Sequence, residues 1–337
     1  MTGDLFVPAS SPDAAPVGAL HTVTYVVADA DAADRTLREG LGLERTDHTF
    51  ARDEAERLSA RFGFDGGRTL QCRLYHRTGE AANVGVRVFV VDAATPAVRP
   101  RHDGRFVGGL SIGFPMREFA ATERRLAGLG IRSSIGRKDM EFTSPAGETY
   151  VSSEIHFLAS EHIFLLGVRR PDGLVPVGPL PAGNPNGAAA YSARCVDNPD
   201  AVIAFLTDIL GYEIRRDATL TVGERSGLRL DEGTPERFVQ AFAPGSATGY
   251  LILLDHLDET IPSPSPSLGP AARGVTMWSF PVRRGFDGIR ARARDAGHSV
   301  IDFPAGTASP FLPGGRSMII TDPGGFPIEL FETDDTH

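Results

Sequence analysis

The sequence predicts an α+β protein made of four copies of a βαβββ module, arranged as two halves that repeat each other. Three observations lead to this prediction. A strand pattern followed by a helix pattern that ends at a glycine occurs four times in the 337 residues. The first and third copies superpose without a gap, because their closing glycines, Gly42 and Gly211, lie 169 residues apart. The second and fourth copies both carry a Phe-Pro pair where the strand ends.

The first copy begins with a strand in "LHTVTYVV", from Leu20, where two sets of residues alternate with the period of two that is typical of strands. The acidic residues Asp29 and Asp31 then start a helix that runs to the closing glycine. The third copy begins at Ala189 on the same plan. Its helix starts at "NPD", residues 198–200, because asparagine is a favoured helix cap and proline is favoured in the first helical turn.

The second and fourth copies share a strand, a helix, and a tight turn followed by a further strand. Their Phe-Pro pairs are residues 114–115 and 280–281, and their helices close at Gly130 and Gly297. The tight turns begin the segments "SPAGETYVSSEI" and "DPGGFPIELFE". A strand, a helix and further strands in each copy predict curved mixed sheets, with one face buried and the other left to enclose a cavity.

The domain boundaries follow from the repeats and from composition. Residues 1–17 are predicted to be a short disordered leader. Residues 18–168 form the predicted N-terminal domain and residues 188–334 the C-terminal domain. Between them, residues 169–187 are rich in proline and glycine and are predicted to be a linker. The segment "IPSPSPSLGP", residues 261–270, is a predicted exposed loop.

The composition is that of a soluble globular protein, with 41% hydrophobic and 23% charged residues. A net charge of −9 argues against a nucleic-acid partner, because binding to phosphates needs a basic face. Cys72 and Cys195 are too few for a disulfide framework and do not have zinc-site spacing. Neither a signal peptide nor a membrane-spanning segment is recognisable. We therefore expect a cytoplasmic protein with a small-molecule partner, either monomeric or homodimeric.

With "HTVTYVVADAD…LGLE" near its start and "DPGGFPIELFE" near its end, the chain resembles the vicinal oxygen chelate superfamily. This superfamily includes glyoxalase I, extradiol ring-cleavage dioxygenases and the bleomycin-resistance binding proteins. The resemblance extends from about Gly18 to Glu332 and implies two domains of that fold. Because the fold supports many chemistries, function has to be argued from the site.

The resemblance implies where a divalent metal ion would bind. Two ligands, usually histidines, come from early positions in two strands of a half, and the third is a glutamate in its last strand. Glu329 matches the glutamate position. In the second half the other two positions fall on Tyr191 and on Met277 or Trp278, and none of these is a usual ligand for such an ion.

In the first half the corresponding positions fall on Val151 in the last strand and on Ser111 in the middle one. The first-strand position falls on Thr22 or, with one inserted residue, on His21. A composite site joining His21 to Glu329 is the alternative, and it would hold one divalent ion such as Fe, Mn, Zn or Ni. The favoured expectation is that no cofactor is bound.

Without a metal ion, these positions predict a pocket for a flat or apolar molecule that carries one polar group. Burial is expected to raise the pKa of Glu329, which would let it act as a general acid or base. Arg194 and Tyr25 are candidates to receive a carboxylate or enolate oxygen. The alternative is structural, with the aromatic residues in the core and Arg194 on the surface. The substrate-binding candidates are Tyr191, Trp278, Met277, Arg194 and Tyr25.

Three functions are compatible with these observations. The preferred one is an enzyme that acts on a small aromatic or carbonyl-bearing metabolite, with Glu329 as the catalytic acid or base. The first alternative is a metal-dependent enzyme of the extradiol dioxygenase or glyoxalase type, with His21 and Glu329 as ligands. The second alternative is a non-catalytic protein that binds a small molecule or an antibiotic.

Overall fold

The computed structural model describes residues 15–64, 70–78, 84–143, 149–171, 177–223, 226–257, 269–303, 309–312 and 315–333. Most of the predicted leader and of the 261–270 loop lies outside the described residues. Within the described ranges there are sixteen strands and five α-helices. None of these helices is long and apolar enough to cross a membrane.

The strands and helices form four βαβββ modules, as the sequence predicts. The first module consists of β1 (Thr22–Val27), α1 (Ala30–Asp34, continued by a π-helical segment, Arg35–Gly40), β2 (Glu44–Thr49), α2 (Arg52–Phe62), β3 (Gln71–His76) and β4 (Gly85–Val90). The second consists of β5 (Gly108–Pro115), α3 (Phe119–Gly128), β6 (Ser133–Thr143), β7 (Thr149–Leu158), a 3₁₀ turn (Ser160–His162) and β8 (Phe164–Arg169). The third consists of β9 (Tyr191–Cys195), α4 (Pro199–Ala204, continued by a π-helical segment, Phe205–Ile209), β10 (Glu213–Thr221), β11 (Pro235–Phe242) and β12 (Tyr250–His256). The fourth consists of β13 (Gly274–Val282), α5 (Phe286–Asp295), β14 (Val300–Phe303), β15 (Ser317–Thr321) and β16 (Pro327–Glu332).

The predicted helix starts and ends are confirmed by local hydrogen bonding. The Asp29 side chain accepts hydrogen bonds from two backbone N–H groups of the first turn of α1, at 2.8 and 3.0 Å. The Asn198 side chain caps α4 in the same way at 3.2 Å. Gly42 and Gly211 have φ values of +68° and +74°, a left-handed conformation that glycine adopts without steric cost.

The modules pair across the two predicted halves. The first sheet has the strand order β14-β15-β16-β13-β1-β4-β3-β2, and the second has the order β10-β11-β12-β9-β5-β8-β7-β6. The first and fourth modules therefore share one sheet, and the second and third modules share the other. The antiparallel pairs β1–β13 and β5–β9 join the modules at the middle of each sheet. Each cavity is consequently built from both halves of the chain.

Two sequence-based assignments need correction at the domain edges. Val17, placed in the leader, is buried and forms a bridge with Val282 of β13. Asn186, placed in the linker, is buried, and its side chain donates a 2.7 Å hydrogen bond to the carbonyl oxygen of Leu41. Val177 of the linker is also buried. These residues pack against the modules, so the described parts of the two segments belong to the folded body.

A third correction concerns the second module. The turn "SPAGETYV" resembles the turn before β16, which led to the prediction that Val151 lies in the last strand. Val151 instead lies on β7, the third strand of its module, and is 44% exposed. The last strand is β8, which pairs in parallel with β5 as β16 pairs with β13.

One apolar core joins the two sheets. It contains side chains from both of them, including Tyr25 and Trp278 of the first sheet and Phe114 of the second, together with residues of the helices such as Phe205. We call the face of each sheet that contributes to this core the helix face, and the opposite face the cavity face. Because side chains alternate along a strand, neighbouring residues such as Met277 and Trp278 lie on opposite faces.

The cavity faces of the two sheets differ. A cluster of apolar side chains fills the cavity face of the first sheet. Helix α2, which lies between β2 and β3 in the chain, supplies part of this cluster. A separate cluster lines the cavity face of the second sheet, where an open cavity is present. The buried members of the first cluster are Val26, Phe50, Leu58, Phe62, Phe64, Leu70, Cys72, Phe89, Met277 and Ile319.

Candidate functional site

Glu329 lies on β16 at the cavity face of the first sheet and is fully buried. Its Oε2 atom accepts hydrogen bonds from Arg87 Nη2 at 2.7 Å and from Ser279 Oγ at 2.8 Å. Its Oε1 atom accepts hydrogen bonds from Arg61 Nη2 at 3.2 Å and from Ser309 Oγ. Two guanidinium groups and two hydroxyl groups therefore hold the carboxylate.

The two arginines reach Glu329 from different elements of the first module. Arg87 lies on β4, and its Nη2 atom also donates to Thr24 Oγ1 at 2.8 Å. Arg61 lies in the last turn of α2, with its guanidinium carbon 3.3 Å from the centre of the Phe303 ring. The side chains of Arg61 and Arg87 are 4% and 0% exposed, so the ion cluster is closed to solvent.

Burial by itself would raise the pKa of Glu329. The charges of Arg87 and Arg61, and the hydrogen bonds from Ser309 and Arg87, outweigh burial and hold this pKa below its ordinary value. The sequence-based expectation of a raised pKa is therefore wrong. A carboxylate that is ionised and accepts hydrogen bonds on both oxygens is poorly suited to act as a general acid or base near pH 7.

This lowered pKa predicts acid sensitivity. Between the ordinary glutamate pKa of 4.5 and the lower pKa in the folded state, the unfolded chain binds a proton at Glu329 that the folded chain does not. We expect the free energy of unfolding to fall as the pH drops through this window. Urea unfolding at a series of pH values should show a shallower fall for Glu329→Gln than for the native chain. Equal slopes for the two proteins would contradict the lowered pKa.

Three predicted substrate-binding residues lie on the helix faces, away from both cavity faces. The Tyr25 hydroxyl donates to the carbonyl oxygen of Ser160 at 2.8 Å. The Trp278 ring packs against Phe326 with ring centres 4.9 Å apart. Arg194, which the structural alternative placed on the surface, is buried, and it contacts Asp322 and Trp278 of the other sheet's modules.

The remaining predicted site residues are divided between the two sheets. Met277 lies in the apolar cluster on the cavity face of the first sheet. His21 precedes β1 with its Nδ1 atom 2.7 Å from Thr22 Oγ1. Burial and the charge of Arg87 lower the pKa of His21 to about 4, against the opposing charge of Glu329, so the ring is neutral at pH 7. Tyr191 lies in the second sheet, and the predicted residues therefore do not share one cavity.

Tyr191 is the predicted residue that lines the open cavity. Its ring stacks on Tyr250 with centres 4.9 Å apart and an angle of 17°, and Tyr250 stacks on Phe242 at 4.6 Å and 16°. These rings come from three neighbouring strands, β9, β12 and β11. Tyr191 and Tyr250 of this stack line a cavity of about 200 Å³, and we call these two rings its aromatic wall.

The cavity also contains buried polar atoms for which the described residues supply no hydrogen-bond partner. They belong to side chains that are at most 9% exposed and that line the cavity. A buried polar group without a partner is costly, so such atoms are expected to meet a ligand or an ordered water. The four atoms are Ser111 Oγ, His156 Nδ1, Glu236 Oε2 and Gln240 Oε1.

Two Glu–His pairs border this cavity. On β7, His156 Nε2 lies 3.0 Å from Glu154 Oε2. On β11 and β12, Glu236 Oε2 lies 3.4 Å from His256 Nδ1. Burial raises the pKa of Glu236, and the nearby charge of Glu154 adds to this, against the opposing charges of His256 and Lys138.

The hydrogen bonding of His256 constrains the Glu236 pair. His256 Nε2 is 2.8 Å from the carbonyl oxygen of Gly104, which can only accept, so Nε2 carries a hydrogen. In the neutral ring Nδ1 is then an acceptor facing Glu236. Glu236 Oε2 and His256 Nδ1 therefore face each other at 3.4 Å without a hydrogen bond between them.

Sequence reasoning missed Glu236, Gln240, Glu154 and the role of His156. The signal for the first two is present in β11, "PERFVQAF", where Glu236, Phe238 and Gln240 alternate with residues of the other face. A strand whose one face mixes an acid, an aromatic ring and an amide is more typical of a cavity wall than of a core.

No protein-family model and no curated protein sequence matches the chain. Solved structures do match it. Glyoxalase I from Zea mays matches with a TM-score of 0.61 at 11% identity, over 95% of this chain and 94% of its own. A protein of Bacillus subtilis subsp. subtilis str. 168, described as a "putative dioxygenase", matches with a TM-score of 0.55 at 15% identity, over 94% of this chain and 86% of its own. Our chain has the vicinal oxygen chelate fold. At these identities the likeness concerns the fold, and the chemistry has to come from the residues present.

In the vicinal oxygen chelate fold of this chain, strand register identifies the positions where a metal ion was expected. Ser279, rather than Met277 or Trp278, lies opposite Glu329 and also opposite Thr22. The equivalent row in the second sheet is Leu166, Gly113 and Tyr191. Neither row offers the histidines that would complete a site.

The described residues around Glu329 therefore do not fit a divalent ion. The oxygens of Glu329 already accept hydrogen bonds from two cations and two hydroxyl groups. Among the described residues, no group of three histidine, cysteine, aspartate or glutamate side chains is arranged to hold a metal. Arg61 and Arg87 supply the positive charge that Glu329 needs in this position.

Proposed function

We propose that the protein binds a flat, largely apolar small molecule in the cavity of the second sheet. The observation that supports this most directly is the aromatic wall of Tyr191 and Tyr250 beside buried polar atoms that have no hydrogen-bond partner among the described residues. Aromatic walls supply contact area, and a few polar groups fix the orientation of the bound molecule. A volume of about 200 Å³ limits the occupant to a small molecule.

This proposal differs from the function preferred from the sequence. An acid or base at Glu329 would act in the first sheet, where α2 and the ion cluster occupy the cavity face. The second sheet keeps an open cavity with aromatic, acidic and amide side chains. These observations support the proposal of a binding site in the second sheet and of a structural role for Glu329.

A cavity-filling variant tests the proposal. Ala193 of β9 and Ile252 of β12 are cross-strand neighbours that line the cavity. We expect Ala193→Phe, and independently Ile252→Phe, to weaken binding of trans-stilbene by at least about tenfold, because the new ring takes the space of the probe. Probe fluorescence measures the binding, and a circular dichroism melt checks folding.

The matched control is Ala60→Phe on the exposed side of α2 in the first sheet, which should leave the affinity unchanged. Two variants are used because either one alone could fail to fold. Failure of the native chain to bind the flat probe, or equal binding by all four proteins, would overturn the proposal.

A second candidate function is a proton-transfer enzyme that uses the same cavity. It is favoured by Glu236, whose pKa burial raises and whose carboxyl group faces His256. A panel of aryl ketones in D₂O, followed by proton NMR, would report exchange of the hydrogens next to the carbonyl. Exchange above the background rate that is lost in Glu236→Gln with binding retained would support catalysis. No exchange above background would leave binding as the function.

A further inference from the structure

Strand β11 presents a polar group at each end of the cavity. Glu236, Phe238 and Gln240 share its cavity face, because side chains two residues apart point the same way. Four residues of strand separate Glu236 from Gln240, which corresponds to about 13 Å. The two polar side chains are 8% and 3% exposed, and Glu236 Oε2 and Gln240 Oε1 have no hydrogen-bond partner among the described residues.

Strand register extends this arrangement across the sheet. Gln240 lies opposite Ile252, which lies opposite Ala193, which lies opposite Ser111. Ser111 Oγ is also buried without a partner among the described residues. This row therefore has a polar side chain at each end, one on β11 and the other on β5.

The other end of the cavity has a different polar group. Glu236 lies opposite His256, and their facing atoms are 3.4 Å apart without forming a hydrogen bond. Between the two polar rows, Phe238 lies opposite Leu254, and both of these apolar side chains line the cavity. Along β11 and β12, the cavity wall is therefore apolar in its middle and polar at two separated places, while charged side chains such as Arg216, Arg170 and Lys138 line other parts of the cavity.

If the second-sheet cavity binds a small molecule, as proposed above, we infer that its ligand is an elongated flat molecule with a hydrogen-bond donor at each end, one directed at Gln240 and the other at Glu236. The amide oxygen of Gln240 and a carboxylate oxygen of Glu236 are acceptors, and a hydroxyl or amine group on the ligand supplies what they lack. A molecule that carries only hydrogen-bond acceptors would leave the Gln240 and Glu236 oxygens buried without a donor. The apolar body of the ligand lies along the aromatic wall and beside Phe238.

The test uses four stilbenes of one shape that differ in their end groups: trans-stilbene, 4-hydroxystilbene, 4,4′-dihydroxystilbene and 4,4′-dimethoxystilbene. Dissociation constants are measured by probe fluorescence on the full chain. We expect a gain in affinity of about tenfold for each hydroxyl group and no gain for the dimethoxy compound.

The protein variants are Gln240→Leu and Glu236→Leu, each of which removes one acceptor and keeps an apolar side chain of similar length. In each variant, the ratio of the stilbene to the diol dissociation constant should fall by about tenfold, which is half of the advantage of the diol on a logarithmic scale. Glu236→Gln keeps an acceptor and should retain the advantage, which separates hydrogen bonding from a general disturbance of the cavity. Phe238→Leu changes the apolar middle of the same face, so it should weaken all four stilbenes to a similar extent and leave the ratio between stilbene and the diol unchanged.

The outcomes separate the two proposals. If all four stilbenes bind equally, or the dimethoxy compound matches the diol, the inference about the ligand is overturned and binding in the cavity stands. If the hydroxyl advantage survives in both leucine variants, the donors are received elsewhere and the inference is again overturned. If no stilbene binds, or Ala193→Phe and Ile252→Phe do not weaken binding, the proposed function fails together with the inference.

Discussion

Glu329→Gln should lower the free energy of unfolding by about 3–5 kcal/mol, the range found when one partner of a buried ion pair is removed. The substitution keeps the size of the side chain and removes its charge. It removes the negative charge next to the guanidinium groups of Arg61 and Arg87, whose side chains are 4% and 0% exposed. Urea unfolding at neutral pH measures the effect.

The matched control for this prediction is Glu332→Gln, three residues further along β16. Glu332 pairs with Arg316 at 2.8 Å, and their side chains are 35% and 38% exposed. Exposed pairs contribute at most about 1 kcal/mol, so this control should have a small effect. Stilbene binding in the second sheet should survive in both variants. A small loss of stability in Glu329→Gln, or a loss of ligand binding with stability intact, would contradict the structural role.

Much of the fold was accessible from the sequence, because the signals for a module are local. A cap such as Asp29 and a closing glycine such as Gly42 act within one helical turn, so their effect does not depend on distant residues. The four modules and the fold class are confirmed for this reason. How the modules pair depends on contacts between distant parts of the chain, and the repeats by themselves do not indicate it.

The candidate site was harder to predict because it depends on strand pairing and register. A shift of one residue moves a side chain to the opposite face of a sheet. Trp278 and Met277 illustrate this, since one lies in the shared core and the other on the cavity face. Arg61 could not be linked to Glu329 from the sequence at all, because α2 brings it there from 268 residues away.

The two sheets show two outcomes for one kind of cavity. In the first sheet, the row of Glu329 and Ser279 is covered by α2, and Arg61 and Arg87 neutralise the charge of Glu329. In the second, the same row holds Leu166, which lines the open cavity, and Gly113, which lies under the Tyr191 ring. An added Cβ at Gly113 would lie 2.0 Å from the Tyr191 ring, so glycine at this position lets the aromatic wall approach the sheet. The difference between the sheets thus comes from a few side chains and one additional helix.

Asp322→Asn is the other substitution with a large expected effect. Asp322 forms an ion pair with Arg194, and both side chains are at most 2% exposed. Its Oδ1 atom also accepts hydrogen bonds from the backbone N–H groups of Gly324 and Phe326, both at 2.9 Å. Asparagine can keep this turn and loses the charge, so the change isolates the ion pair from the turn.

We expect Asp322→Asn to lower the free energy of unfolding by about 3–5 kcal/mol, because Arg194 would stay buried between the sheets without a counterion. Its guanidinium carbon lies 4.7 Å from the Phe326 ring centre and 5.4 Å from that of Trp278, so an apolar side chain fits the same place. Adding Arg194→Met to Asp322→Asn should therefore recover part of the loss. A double-mutant cycle by urea unfolding measures this coupling.

Asp302→Asn serves as the control. Asp302 pairs with Arg294, their side chains are 36% and 52% exposed, and the substitution should therefore lower the stability only slightly.

The variants of this cycle also test whether Arg194 binds the ligand. If Arg194 bound the ligand, Arg194→Met would weaken stilbene binding however stable the protein was. Since Arg194 lies on the helix face, with its charge matched by Asp322, we expect the affinity to remain at the native value while stability changes. A loss of affinity without coupling to Asp322 would return Arg194 to the binding site.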